Sequence, residues 1–371
     1  VRRADAERLT ACHWLLLRLA GTAPDDLLAQ SRHWLGAGRA LDVGRAVAHA
    51  VLSHRLRLTD HDVDLLTELL AADGADASAL ALVDVIDIDP MPVYGFAPSR
   101  ELARVTTGVA ADGRPEPPTE ATTAPEDECD RVAIRASERD ERIVALWRAW
   151  RFPGDGAPWP RPRRVYVVET AVGADLVAVA ALLQPQLEAA GEPFAQVEVY
   201  PTQPPSAETS GWGPEVLPSY QRVARAYGAL LWARTPDPQV RMATLFDDVD
   251  ATGPGMAADH PTVPEDEARR LATYLRGGEP LLLTAARMDD VIDPVRRGVV
   301  PMNFRTDGFW IWTEATTYYL EHYGLAPEAD LVAHIRRCGY EQGAMDGAAL
   351  YRALAVLRAP AAEEPAWTYG A

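Results

Sequence analysis

Apolar residues recur at helical spacing through the first hundred residues, then give way to short, nearly continuous apolar runs. In "LTACHWLLLRLAG", Leu9, Leu16 and Leu19 share one face until Gly21, which predicts a first helix. Thr22 as a cap, Pro24 in the first turn and the acids Asp25 and Asp26 mark the start of a second, through "LLAQSRHWLG". A third is predicted through "ALDVGRAVAHAVLSHRL", with Leu41, Val47, Val51 and Leu52 on its apolar side. Thr59 caps a fourth, with Asp62 at the N3 position and Val63, Leu66, Leu69 and Leu70 inward. These elements predict a helical bundle over residues 1–104, a shape suited to presenting surfaces.

Between 105 and 130 the pattern lapses. "VTTGVAADGRPEPPTEATTAPEDECD" is rich in Pro, Thr, Glu and Ala and poor in large apolar residues, the composition of a flexible linker. Residues 131–371 then read as a mixed α/β domain. "RVAIRASERDERIVALWRAWRF" is expected to be a helix stopped by Pro153 and Gly154. "RRVYVVET" and "FAQVEVYPT" are expected strands around the helix "GADLVAVAALLQPQLEAAG", bent or broken near Pro185; that order predicts a parallel pair with a right-handed crossover. "SYQRVARAYGALLWAR" and "EDEARRLATYLRGG" read as helices, and "PLLLTAA" as a third buried strand. "GVVPMNFR" and "FWIW" flank Thr306-Asp307-Gly308, the signal for a tight hairpin. Helices around 314–323, 328–338 and 347–358 complete an α+β, mixed α/β multidomain fold.

Composition narrows the function classes. The chain has 371 residues, a net charge of −18 and no lysine, all 36 of its basic side chains being arginine. Schiff-base chemistry on lysine is thereby excluded, and the acidity argues against general nucleic-acid binding. Cys12, Cys129 and Cys338 form no disulfide or zinc pattern, so a cytoplasmic setting is expected. No apolar run approaches the roughly 20 residues needed to cross a bilayer. Asp5, Glu7 and Arg18 interrupt the N-terminal apolar stretch, which reads as an amphipathic helix rather than a signal peptide.

Two acidic stretches carry candidate metal chemistry. In "DDVDATGPGMAAD", Asp248, Asp250, Thr252, Gly253 and Asp259 fall at positions 1, 3, 5, 6 and 12 of a calcium-loop template. In "ARMDDVIDP", Asp289, Asp290 and Asp293 have a spacing that, on a helix, puts the first and last carboxylates on one face, as in the aspartate-rich motif of the isoprenoid synthases, which it resembles over those five residues alone. That resemblance implies Mg²⁺ held against a diphosphate; an Asp-Pro ending and the preceding strand depart from the all-helical pattern of that family. Two further segments are aromatic. "WRAWRFPGDGAPWPRPRR" interleaves Trp147, Trp150 and Trp159 with Arg148, Arg151, Arg161, Arg163 and Arg164, a patch that either grips phosphate or docks onto a neighbouring element. In "PMNFRTDGFWIWTEATTYYLEHYG", Arg305, Asp307, Trp310 and Trp312 are candidate ligand-binding residues if the strand displays its tryptophans, and core if the following helix covers them.

The expected function is a non-catalytic cytoplasmic interaction or adaptor protein, its helical region docking a protein partner and its α/β domain offering a second surface at the hairpin. The competing reading is an enzyme that uses Mg²⁺ or Ca²⁺ and acts on a phosphorylated or nucleotide-like small molecule.

Overall fold

The computed structural model describes residues 3–106, 123–155, 157, 160–202, 215–250 and 253–359. The chain is mixed α+β and divides into two compact units, Val1–Thr235 and Pro236–Ala371. No helix among the described residues is long and apolar enough to cross a membrane.

The first unit opens with the four expected helices, α1 (Arg3–Leu19), α2 (Asp25–Gly36), α3 (Ala40–His54) and α4 (Asp60–Ala72). At the start of α4 the Thr59 hydroxyl accepts the Asp62 amide while the Asp62 carboxylate accepts the Thr59 amide, the reciprocal cap expected from that spacing. Leu15, Leu28, Val43, Val47 and Leu66 form the buried centre of this region. A sheet follows, from β1 (Tyr94–Ala97), β2 (Ile143–Pro153), β3 (Arg163–Thr170), β4 (Gln196–Pro201) and β5 (Ala229–Ala233), with α5 (Arg100–Thr106), α6 (Glu128–Arg139), α7 (Leu176–Ala189) and α8 (Ser219–Tyr227). Its order is β1-β2-β3-β4, with β5 also on β2; β3 and β4 are parallel and the other pairs antiparallel. The β3-α7-β4 unit is the expected parallel crossover, and α7 runs unbroken through Pro185.

The sheet corrects two expectations. The helix expected from Arg131 to Phe152 ends at Arg139, and Ile143–Pro153 is instead the central strand β2. Arg148 and Arg151 are both buried in the sheet. The Arg148 guanidinium pairs with Asp130 and donates to the Pro98 carbonyl; Arg151 donates to Asp25 at 2.7 Å and to the Tyr220 hydroxyl at 3.2 Å. With its charges neutralised, a run that holds Ile143, Val144, Trp147, Trp150 and Phe152 follows its strand preference. Likewise "SYQRVARAYGALLWAR" is a helix only to Tyr227: Gly228 lies against the Arg148 carbonyl, and Ala229–Ala233 pairs with β2.

The sequence predicted domain limits at 104 and 130, yet the compact units divide between Thr235 and Pro236. Two features tie the helical region to the sheet. β1 extends the sheet beside β2, and buried polar contacts fasten α1 and α2 to β4: Arg32 to Glu198 at 2.6 Å, and His13 Nε2 to the Val199 carbonyl at 2.7 Å. Residues 107–122 of the expected linker lie outside the described residues, while its last residues begin α6, capped by Asp127.

The second unit contains β6 (Arg241–Met242), a β7 (Asp248–Asp250) and β8 (Gly253–Gly255) hairpin, α9 (Glu265–Gly277), β9 (Glu279–Leu282), β10 (Arg287–Met288), β11 (Val300–Pro301), β12 (Phe304–Thr306), β13 (Trp310–Thr313), α10 (Glu314–Tyr323), α11 (Ala329–Arg337) and α12 (Gly347–Arg358). Its main sheet has the order β6-β13-β12-β9, and the expected β12–β13 hairpin turns at Asp307-Gly308. "PLLLTAA", expected to be buried, supplies the edge strand β9, which pairs with β12; Leu282 at its end and Leu283 just after it are exposed.

Candidate functional site

The tryptophans of β13 face inward. Trp310 and Trp312 are buried with Leu271, Leu275 and Leu331; Trp312 donates its indole hydrogen to the Leu275 carbonyl, and the Arg241 guanidinium stacks on Trp310. Arg305 is fully engaged, pairing with Glu314 at 2.7 Å and donating to the Arg276 and Gly278 carbonyls. Only Phe309, at the hairpin tip, is an exposed aromatic of this strand. These contacts describe a core element, which is where most of the stabilisation from large aromatics comes from.

Asp307 organises the turn and more. Its Oδ1 accepts the Phe309 and Trp310 amides, and its Oδ2 accepts the Tyr274 hydroxyl at 2.6 Å and His334 Nε2 at 2.8 Å. The exposed Cys338 thiol lies 3.6 Å from the same Nε2. A thiol, an imidazole and a carboxylate together suggest nucleophilic catalysis, but the connectivity opposes it. A relay needs carboxylate and nucleophile on opposite ring nitrogens. Here one nitrogen serves both, so while Nε2 donates to Asp307 it has no lone pair for the thiol proton. Burial, and then Asp307, push the Tyr274 hydroxyl well above the ordinary phenol range, keeping it a donor. The group is a clasp joining the hairpin, α9 and α11. His334 and Cys338 were missed in the sequence, where their one-turn spacing on a helix was the available signal.

Among the described residues the candidate metal ligands form no cluster. Asp248 and Asp250 lie in the β7–β8 hairpin opposite Gly255 and Gly253, Thr252 lies outside the described residues, and Asp259 is exposed beyond the hairpin. The neighbouring Asp247 closes this loop instead, accepting the Ala257 amide and the His260 Nδ1 hydrogen, both at 2.8 Å. Asp289, Asp290 and Asp293 occupy the loop between β10 and β11, not a helix. Asp289 accepts the Gly298 amide and Asp293 the Val295 amide, while buried Asp290 accepts the Ile292 amide and the Tyr318 and Tyr323 hydroxyls. Burial would raise the Asp290 pKa, but the Tyr323 and Ile292 hydrogen bonds prevail and hold it below the usual carboxylate value. These carboxylates satisfy a loop. Among the described residues no three His, Cys, Asp or Glu side chains form a group that could hold a metal ion.

A different feature stands out in the first unit. Between α4 and β1, "LVDVIDIDPMPV" runs as an irregular strap, residues 82–93. Exposure alternates every three residues. Val83, Ile86, Asp89 and Pro92 are half-buried; Leu82, Val85, Ile88 and Met91 point outward, at 86%, 44%, 76% and 71% exposure, with Val93 at 74%. Asp84 and Asp87 make a third, acidic row and have no side-chain hydrogen bond or ion pair among the described residues. The strap is pinned along its length. Leu58 and Ile86 exchange backbone bonds with Asp84 and Leu58, Asp89 accepts the Ser219 amide at 2.6 Å, and Val93 accepts the Gly154 amide. Beside it, Arg55, Arg57, Ile86 and Pro90 border a cavity of about 250 Å³. A row of large exposed apolar side chains on a fixed backbone is a candidate binding surface.

No protein-family model matches this chain, and no curated protein or solved structure matches it either.

Proposed function

We propose that this protein is a non-catalytic interaction module whose docking element is the strap of residues 82–93, and that its partner is a protein segment combining large apolar side chains with a basic flank. The observation that carries this reading is the row of Leu82, Val85, Ile88 and Met91, held outward by a backbone that is already fixed. A pinned backbone lowers the ordering cost of association, so exposed apolar side chains convert more of their burial into affinity. Asp84 and Asp87 alongside, on a chain of net charge −18, favour arginine or lysine in the partner and disfavour acidic segments. The hairpin contributes no second surface to this reading, because Trp310, Trp312 and Arg305 are occupied within their own unit.

The test is a fluorescence-anisotropy titration of the full chain with labelled peptides that carry leucines at every third position and either arginine or glutamate between them. The arginine peptide is expected to bind saturably and the glutamate peptide at least tenfold more weakly. Ile88→Asp with Met91→Asp, both exposed, should leave the circular dichroism unchanged and weaken the arginine peptide at least tenfold. Equal binding of the two peptides, or undiminished binding by the double variant, would sink the proposal. Concentration-dependent dimerisation in sedimentation, lost in the double variant, would reassign the strap to a second copy of the chain.

A further inference from the structure

A second site is formed by the arginine-rich segment around β2 and β3. A cleft of about 540 Å³ opens where β2 ends and β3 begins, walled by the starts of α5 and α6 and by the loop between α7 and β4. Its size lies within the range of small-molecule sites. Five guanidiniums line it, those of Arg100, Arg151, Arg161, Arg163 and Arg164.

They form two layers. The inner pair is buried and neutralised: Arg151 by Asp25, and Arg164 by Asp127 and, at 3.3 Å, Asp130. The outer three are less well matched. Arg163 reaches the same Asp25 that serves Arg151, at 3.3 Å, and gives Nη1 to the Pro193 carbonyl. Arg100 is exposed and lies over the Trp150 ring at 5.3 Å, and Arg164 makes its own contact with that ring at 4.7 Å. Arg161 is exposed and has no carboxylate partner among the described residues.

Four carboxylates also line the cleft: Asp25, Asp127, Glu128 and Glu192. Glu128 is claimed by Arg131 and Arg135 along α6, and the deeper Asp130 is balanced by Arg148. Counted with every partner named, the eight guanidiniums of Arg100, Arg131, Arg135, Arg148, Arg151, Arg161, Arg163 and Arg164 meet the six carboxylates of Asp25, Glu126, Asp127, Glu128, Asp130 and Glu192, which leaves two positive charges in excess. On a chain of net charge −18, such a local surplus at the mouth of a cleft calls for an anion of about two charges.

We propose that this cleft binds a small phosphate monoester, with the phosphate dianion held by Arg100, Arg161 and Arg163 and the remainder of the molecule lying toward Glu192. Guanidinium forks match phosphate oxygens in pairs, whereas a monocarboxylate would neutralise only half of the surplus. Glu192 sits at the inner wall, its carboxylate 3.3 Å from the Arg164 Nε, and can accept a hydroxyl or amino hydrogen from the ligand. Trp150, contacted by two guanidiniums and donating its indole hydrogen to Glu126, is a fixed part of the wall.

Isothermal titration of the full chain with glycerol 3-phosphate tests this, with inorganic phosphate and glycerol as companion probes. Glycerol 3-phosphate is expected to bind saturably, inorganic phosphate more weakly, and glycerol not at all. Affinity should rise severalfold as pH climbs through the second phosphate ionisation near 6, because the dianion matches the surplus charge. Arg161→Ala and Arg100→Ala change exposed side chains, should keep the fold by circular dichroism, and should each weaken binding at least tenfold. No saturable heat from either phosphate probe, or full affinity in both variants, would overturn the assignment. Equal affinity for phosphate and its ester would remove Glu192 and the inner wall from it.

Discussion

His13 is buried on α1 with its Nε2 hydrogen on the Val199 carbonyl. Burial lowers its pKa, Arg32 adds to the effect, and the carbonyl bond only partly offsets them, so the imidazole falls to about 4. His260 has the opposite surroundings. Burial alone would lower its pKa too, but the Ala326 carbonyl on one ring nitrogen and Asp247 on the other outweigh it, and the pKa is raised. The signs follow by linkage. In the unfolded chain both titrate near 6.5. His13 therefore contributes stability that is present above about 6.5 and lost as pH falls toward 4, because only the unfolded state takes up the proton; the loss is on the order of 3 kcal/mol. His260 contributes stability that is present below about 6.5 and lost as pH rises through its folded value. Urea melts of His13→Leu and wild type should therefore lie farthest apart near pH 7.5 and converge by pH 4.5, while His260→Gln and wild type diverge in the reverse direction. A gap independent of pH in either pair would show that the histidine does not titrate as its surroundings require. The same buried polar positions mark where sequence reading reached its limit. Asp62 could be recognised as a cap because its partner Thr59 is local, but the sheet partners of His13 and Arg32 lie on the distant strand β4.

Helices whose apolar residues recur along one face were legible in the sequence, as was the Thr59 cap of α4. Helix α2, however, starts after Pro24 without a side-chain cap, and Thr22, expected to cap it, donates its hydroxyl to the Leu19 carbonyl instead. The β3-α7-β4 crossover was legible too, its strands having the short apolar runs Val165–Val168 and Val197, Val199 and Tyr200. β2 was not, because its arginines are matched by carboxylates more than a hundred residues away in one case and on the preceding helix in the other. Pattern reading places charge outside, and a strand that buries two guanidiniums defeats it. The same limit hid the cleft, since nothing local links Arg100 or Glu192 to the arginines of 161–164. The aspartates of 289–293 would share a face only on a helix; the Asp-Pro step, which also read as a turn entering the hairpin, and three carboxylates that accept backbone amides make a loop. Helix packing yields a prediction at this scale. Gly36 ends α2 against α7, where a methyl group would fall 2.6 Å from the Ala181 Cβ. Replacing a helical glycine with alanine ordinarily gains about 1 kcal/mol, but here the two helices would have to separate. Gly36→Ala is expected to destabilise the first unit by about 1–3 kcal/mol, read as a lower midpoint in chemical denaturation. A raised midpoint would mean that the interface between α2 and α7 yields without loss.

At the scale of the whole chain, the division between Thr235 and Pro236 leaves each unit with a core of its own. Leu15, Val47 and Leu66 belong to the first, and Leu271, Trp312 and Leu331 to the second. The sequence had suggested an earlier division because the composition change at 105–130 is the most conspicuous in the chain, whereas the short "TPDPQ" passage carries little compositional contrast. A boundary depends on where contacts stop crossing, and composition reports that only indirectly. Cores that share no side chain are expected to melt as separate cooperative transitions. Leu66 is fully buried, and truncating such a leucine costs about 2–5 kcal/mol. Asp307→Ala would leave the Tyr274 hydroxyl and His334 without their acceptor, at a cost of about 1–3 kcal/mol for each stranded group. Differential scanning calorimetry should accordingly resolve two endotherms. Leu66→Ala should move one by several degrees and leave the other in place, and Asp307→Ala should do the converse. If either substitution shifts both endotherms together, the two cores unfold as one cooperative body, and the stability of the strap and the cleft then depends on residues beyond 235.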